Sequence, residues 1–134
     1  MNIYLGDTVD FDNNGLGFLR DLISCSVTEE LNGDYSVEFV YPLNGLLSEY
    51  IQEENIIKCD VGHDNYQLFK IYSIDKNFET ITANAKHIFY SLADNFVVDI
   101  APKNQPCSEL TNWILSHTVV KNNFEAFSSI STLK

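Results

Sequence analysis

Cations are scarce in this chain of 134 residues: eight Lys and Arg stand against nineteen Asp and Glu, a formal net charge of -11. Phosphate binding needs Lys and Arg, so the balance argues against nucleic acid as a specific partner. Cysteine is also sparse. Cys25, Cys59 and Cys107 are an odd number without close spacing, which reads as reduced, partly buried thiols in a protein made in a cytoplasm. No stretch approaches the ~18 apolar residues that a membrane span requires. The acidic opening "MNIYLGDTVD" shows no signal peptide. Low-complexity tracts are absent, and so are H-E-x-x-H, G-x-S-x-G and P-loop motifs. The lone G-x-G, Gly15-Leu16-Gly17, lacks the third glycine and the helix start of a phosphate-binding turn, and reads as a plain loop.

Hydrophobic residues at 45% and aromatics at 13% indicate an ordered globular chain, one domain or one domain with part of another attached. At this length roughly two-thirds of the unfolded surface can be buried, enough for a core. The charge is lopsided. Residues 1–60 hold 12 acidic side chains against 2 basic ones, and residues 61–134 hold 7 against 6. Such asymmetry marks either a face that meets a basic partner or repels an anion, or a solvated acidic surface.

"NIYL" reads as an opening strand and "DFDNNGLGF" as a loop. In "EELNGDYSVEFVYPL" and the residues before it, Ile23, Cys25 and Val27 alternate on one strand, and Val37, Phe39 and Tyr41 on the next. A two-residue turn at Asn32-Gly33 would set each apolar row against a polar one. A three-residue loop, Leu31-Asn32-Gly33, pairs Val27 with Val37, Cys25 with Phe39 and Ile23 with Tyr41. A one-residue slip moves every side chain to the other face, so the apolar pattern selects the longer loop. That loop predicts Gly33 at positive φ, closing a type I turn with a bulge. Pro42 ends the strand because it cannot donate to a ladder.

"LNGLLSEYIQEEN" follows as an irregular connection with one helical turn, then "NIIKCDV" and "YQLFKIYSID" as strands around the turn "GHDN". "ETITANAKHI" is a further strand, with Ile81, Ala83 and Ala85 in alternation. "HIFYSLAD" suits a helical turn and "NFVVDI" a final strand. After Ile100 come the linker "APKNQP" and then an amphipathic helix with Leu110, Trp113, Ile114 and His117 on one stripe and Pro106 near its first turn. "VVKNNFEAFSSISTLK" is open to a strand reading. The fold class expected is mainly β, a β-barrel or two-sheet antiparallel domain with one or two short helices, α+β overall. Residues 1–100 form the β domain. Residues 101–134 read as a linker and the helix, as in a fragment of a longer protein.

Candidate chemistry is thin. Cys59 and His63 have ligand-like spacing across a turn, but no second pair matches it. Cys107 and His117 lie about 15 Å apart along one helix axis, too far for a nucleophile–base contact. His117 falls on the apolar stripe as a packed or end-capping residue, and His87 at a strand end suits a structural role. Glu29 and Glu30 are neighbours on a strand and point to opposite faces. Asp94, Asp99 and Glu109 could meet only through tertiary structure. The expectation is therefore no catalytic residue, no cofactor, no metal and no enzyme, with the three cysteines mutually distant.

The segments "EELNGDYSVEFVYPL", "IIKCDVGHDNYQLFKIYSIDK" and "ITANAKHIFYSLADNFVVDI", with "ELTNWILSHT" and "FEAFSSIS" after them, resemble the N-terminal region of siphophage tail-associated, or prophage endopeptidase tail, proteins. The family often has Arg at Lys70 and Lys86 and Asp at Ser91. The resemblance implies a β-barrel hub domain similar to that of contractile-phage baseplate hubs, with residues 101–134 as linker, helix and the start of a following α/β insertion, in a virion tail tip built in the host cytoplasm. It implies a homotrimer in the full-length protein, closing the tail tube below the distal tail protein ring and alongside tape measure and tube proteins. Lytic or receptor-binding activity would then belong to C-terminal regions.

Two other classes remain open. A monomeric β-rich module for cell-wall sugar or a receptor would expose Tyr35, Tyr41, Tyr66 and Tyr72 in a groove. A fragment of a tail-associated peptidase would need a Cys/His or carboxylate cluster. The hub reading expects Asp7, Asp10, Asp12, Glu53 and Glu54 on solvent or lumen faces, because burying them unpaired is costly.

Overall fold

A computed structural model describes residues 1–62, 65–99, 105–120 and 124–129. The chain divides into two compact units, Met1–Tyr90 and Ser91–Lys134. The first contains seven strands: β1 (Asn2–Tyr4), β2 (Gly17–Phe18), β3 (Ser24–Glu29), β4 (Tyr35–Pro42), β5 (Ile56–Asp60), β6 (Tyr66–Lys76) and β7 (Thr80–His87). All neighbours are antiparallel, in the order β2-β1-β5-β6-β7-β4-β3. The fold is mainly β, as expected, and the single sheet curls into a half-barrel.

The hairpin of β3 and β4 takes the register that the apolar rows select, with Val27 opposite Val37 and Cys25 opposite Phe39. The Glu30 N–H donates to the Asp34 carbonyl at 2.8 Å, and the Gly33 N–H to the Glu30 carbonyl at 3.0 Å. That leaves Leu31-Asn32-Gly33 as the loop. Two details differ from expectation. The left-handed residue is Asn32, φ 58°, and not Gly33; Asn is one of the few side chains that tolerates this region. Gly33 is needed for space, since a Cβ there would stand 2.7 Å from both Cβ and Oε2 of Glu30. The third pair, Ile23 with Tyr41, does not form. The strand starts at Ser24, and the Ile23 N–H donates to the Val40 carbonyl at 2.9 Å. Ile23 stays 58% exposed because β3 is an edge strand with no further neighbour to cover it.

The concave side carries the core: Ile3, Val37, Phe39, Tyr41, Ile57, Phe69, Ile71, Ile81, Ala83 and Ala85 are all buried. Small and large residues alternate across it. Ala85 of β7 lies between Val37 and Ile71, and Ala83 between Phe39 and Ile74. Methyl groups on the middle strand leave room for the large side chains on both sides, the taper that a strongly curled sheet needs. Between Ile71 and Ser73 the β6 register shifts at Tyr72. This bulge rephases the strand, so Ile71 and Ile74 both pack toward the core although they are three residues apart.

The loop from residue 5 to 16 is pinned from inside. The Tyr4 hydroxyl donates to the Asn13 carbonyl at 2.5 Å, and the Gly15 N–H donates to Asn13 Oδ1 at 2.7 Å. Gly15 has φ +59°, and any Cβ there would strike the Ile3 carbonyl and the Tyr4 ring. In "DFDNNGLGF", expected as loop throughout, Gly17 and Phe18 pair with β1 as a short strand. Single 3-10 turns occupy Ser48–Tyr50 and Ile88–Leu92, where helical turns were expected.

In the second unit, α1 (Cys107–Ser116) follows Pro106 at its N-cap. Leu110, Trp113 and Ile114 are half-buried along its stripe. The segment "NFVVDI" is not a strand: it contributes one bridge, Val97 to Thr118, and Ile100 lies outside the described residues. Residues 124–129 form no strand either. The linker residues 101–104 lie outside the described residues.

Candidate functional site

His87 ends β7 with both ring nitrogens engaged. The Phe89 N–H donates to Nδ1 at 3.2 Å, which leaves Nε2 as the donor to Gln67 Oε1 at 3.0 Å. The ring stacks on Tyr35 at 4.8 Å between centroids and meets the Phe69 edge at 5.4 Å. Burial lowers its pKa below the ordinary histidine value. This is a packed, satisfied imidazole, as its position in the sequence implied. His117 is the C-cap of α1. Its ring stacks on Trp113 at 4.1 Å and its Nδ1 lies 2.9 Å from the Trp113 carbonyl, the end-capping role expected of it. His63 lies outside the described residues, so the Cys59/His63 pairing does too.

The cysteines correct one expectation. Cys25 and Cys59 are not distant: each lies near enough to shift the other's pKa, while the Cys59 thiol donates to the Asp60 carbonyl at 3.5 Å. β3 and β5 are four strands apart in the sheet order, about 19 Å in a flat sheet. The curl closes that gap. Cys25 faces the concave side because its partner Phe39 does, and Cys59 belongs to the buried core cluster. The neighbouring Cys59 side chain lowers the Cys25 pKa to about 7, against an opposing contribution from burial and with help from the Met1 amino group. Cys25 in turn, reinforced by burial, pushes the Cys59 thiol up. Sequence spacing held no signal for this pair, which meets only through the long-range curl.

The acidic residues Asp7, Asp10, Asp12, Glu53 and Glu54 are all exposed to solvent, as expected. Glu54 Oε2 pairs with Lys70 Nζ at 2.6 Å. Glu29 ends β3, whereas Glu30 has moved into the turn. Glu109 is in the first turn of α1, and Asp94 is exposed. Among the described residues no group of three or more His, Cys, Asp or Glu could hold a metal ion.

The four tyrosines do not share a groove. Tyr41 is buried, its hydroxyl donating to Asp21 Oδ2 at 3.2 Å. Tyr35 is packed on Phe69 and His87. Tyr66 and Tyr72 are exposed, and lysines stand over their rings: Lys58 over Tyr66 at 6.0 Å and Lys86 over Tyr72 at 5.2 Å. An open cleft lies elsewhere, beside β2, lined by Leu16, Phe18, Arg20, Asp21, Tyr41 and Leu47. It contains neither histidine nor cysteine. What this unit offers is a curled sheet with an unpaired six-residue edge, β3, and an acidic exterior.

The family model described as the prophage endopeptidase tail N-terminal domain matches residues 5–91. This chain belongs to that family. The match covers the first compact unit except its first four residues, which include β1, and ends one residue past it. Comparisons with curated proteins and with solved structures give no match. The tail domain is thus a phage tail module by family and a curled antiparallel sheet by fold. No helix among the described residues is long and apolar enough to cross a membrane.

Proposed function

We propose that the half-barrel is a structural hub module of the tail tip, assembling into a trimeric ring that closes the tail tube and carries host-contacting or lytic regions of a longer protein. The observation that carries this reading is the open β3 edge on a family-matched half-barrel. An edge strand with unpaired N–H and C=O groups is a template for a neighbouring strand, and a closed ring supplies every subunit with one. The exposed acidic residues support it further, since a conduit for DNA works better with walls that repel phosphate than with walls that bind it. The partners in this reading are the distal tail protein ring and the tape measure and tube proteins.

The module itself is read as non-enzymatic. Among the described residues no imidazole shifts the Cys25–Cys59 pair, and His87 and His117 are engaged within the fold. Light scattering on the full-length protein gives its mass in solution, where a trimer is expected and a persistent monomer contradicts the ring. Peptidoglycan hydrolysis by this chain, lost on substitution of one Cys or His, would overturn the structural reading.

A further inference from the structure

We propose that the tip of the β3–β4 hairpin of one copy of this chain docks, Leu31 first, in the cleft beside β2 of another copy. On the ring reading, on which this rests, these are the two surfaces through which neighbouring subunits meet.

The tip is a rigid knob. Leu31 stands 95% exposed in a turn closed by the hydrogen bonds from Glu30 N–H to the Asp34 carbonyl and from Gly33 N–H to the Glu30 carbonyl. Tyr90 holds the turn from behind. Its hydroxyl donates to the Gly33 carbonyl at 2.9 Å and accepts from the Tyr35 N–H at 3.2 Å. A backbone already fixed in this way has little freedom left to lose on docking, so the knob is preorganised. Two exposed carboxylates, Glu29 and Glu30, precede Leu31 in the chain.

The cleft has the complementary character. It measures about 690 Å³, and Leu16, Phe18, Leu46, Leu47 and the Tyr41 ring line it. Phe18 and Leu46 leave apolar surface open there. Arg20 lines it too and is exposed. The one ion pair among the described residues joins Lys70 to Glu54, so Arg20 has no carboxylate, and Glu29 and Glu30 have no cation. Residues 1–60 hold one other cation, Lys58, whose Nζ is engaged with the Phe11 carbonyl at 2.7 Å. The carboxylate of the cleft, Asp21, accepts from the Tyr41 hydroxyl at 3.2 Å. An apolar hollow beside an unpaired guanidinium fits a leucine that carries carboxylates next to it, and arginine gains most from such pairing where the contact excludes water.

One copy cannot fill its own cleft. Tyr35 stands beside the tip and Tyr41 in the cleft wall, six residues apart on β4, about 20 Å along a strand. Knob and hollow therefore sit at opposite ends of one hairpin, and Leu31 reaches the cleft of a second copy only. A contact between two different surfaces is head-to-tail, the kind that builds a ring when its rotation closes.

The test uses the full-length protein carrying Leu31→p-benzoylphenylalanine, as a mixture of light and heavy-nitrogen material, irradiated at a concentration where light scattering gives the trimer mass. The expected product joins position 31 of one label to residues 16–20 or 46–47 of the other. Arg20→Glu and Leu31→Asp, both at exposed positions, should leave the urea midpoint unchanged and raise the dissociation constant of the trimer at least about tenfold. Arg20→Lys should weaken it less than Arg20→Glu. A trimer that keeps its affinity in both variants, or whose position 31 links elsewhere, overturns the docking and leaves the ring reading standing. A wild-type protein that stays monomeric overturns both.

Discussion

The His87 ring lies flat on Tyr35, with centroids 4.8 Å apart and planes within 7°. The stack joins the end of β7 to the start of β4 and sits beside the Phe69 edge, and burial there disfavours the charged imidazole. Burial lowers the folded-state pKa below the ordinary value near 6.5. The unfolded chain therefore takes up a proton at higher pH than the folded one. The stability this site contributes is present in full above about pH 6.5 and is lost as pH falls through the folded value. Thermal melts between pH 7.5 and 5.5 should show Tm declining, and His87→Phe, which keeps a ring on Tyr35 but cannot titrate, should flatten that decline. An unchanged slope in the variant would remove His87 as the cause.

The hairpin turn yields a second prediction. Gly33→Val should destabilise the domain by about 1 kcal/mol or more, through collision with Glu30 rather than through φ. A double-mutant cycle separates the two causes, because Glu30→Gly removes both atoms that crowd Gly33. A favourable coupling between the two substitutions is expected, read from urea midpoints. Additive effects would show that the cost lies in the backbone. Asn32→Val, by contrast, should cost about 1–3 kcal/mol from a β-branched residue forced to positive φ.

Much of the sheet was legible in the sequence. Ile81, Ala83 and Ala85 alternate in print and all three are buried, and the one-residue rule fixed Val27 opposite Val37. What escaped was whatever a strand acquires from neighbours distant in sequence. Gly17 and Phe18 look like loop because their strand is two residues long and exists only by pairing with β1. Ile23 carries the same alternation as Val27, yet an edge has no layer to bury it. Asn32, not Gly33, takes the left-handed position, and Gly33 is instead needed for clearance from the Glu30 side chain, a tertiary demand that turn propensity does not encode. The nearness of Cys25 to Cys59 depends on the curl of five strands. For the site, the structural roles of His87 and His117 could be read from their positions, whereas Val97 looked like a strand residue and makes a single bridge.

The alanines of β7 give a third prediction. Ala85 is fully buried between Val37 and Ile71, with no slack for a longer side chain. Ala85→Leu should cost about 1–3 kcal/mol by overpacking, whereas Lys86→Leu, next along the strand on the opposite face, should cost at most about 0.5–1 kcal/mol through loss of its contact with the Tyr72 ring. Equal effects at the two positions would mean that the concave side is not the packed side. Urea unfolding of both variants gives the comparison.

The central claim is that this half-barrel is a ring-forming part of the tail tip. Electron cryomicroscopy of intact tails tests it most directly. The account predicts three copies of the curled sheet around the tube axis at the tip, with each β3 edge against a neighbouring subunit and Asp7, Asp10, Asp12, Glu53 and Glu54 facing solvent or the lumen. A tail tip that lacks this domain, or contains it as a single copy with β3 open, would contradict it.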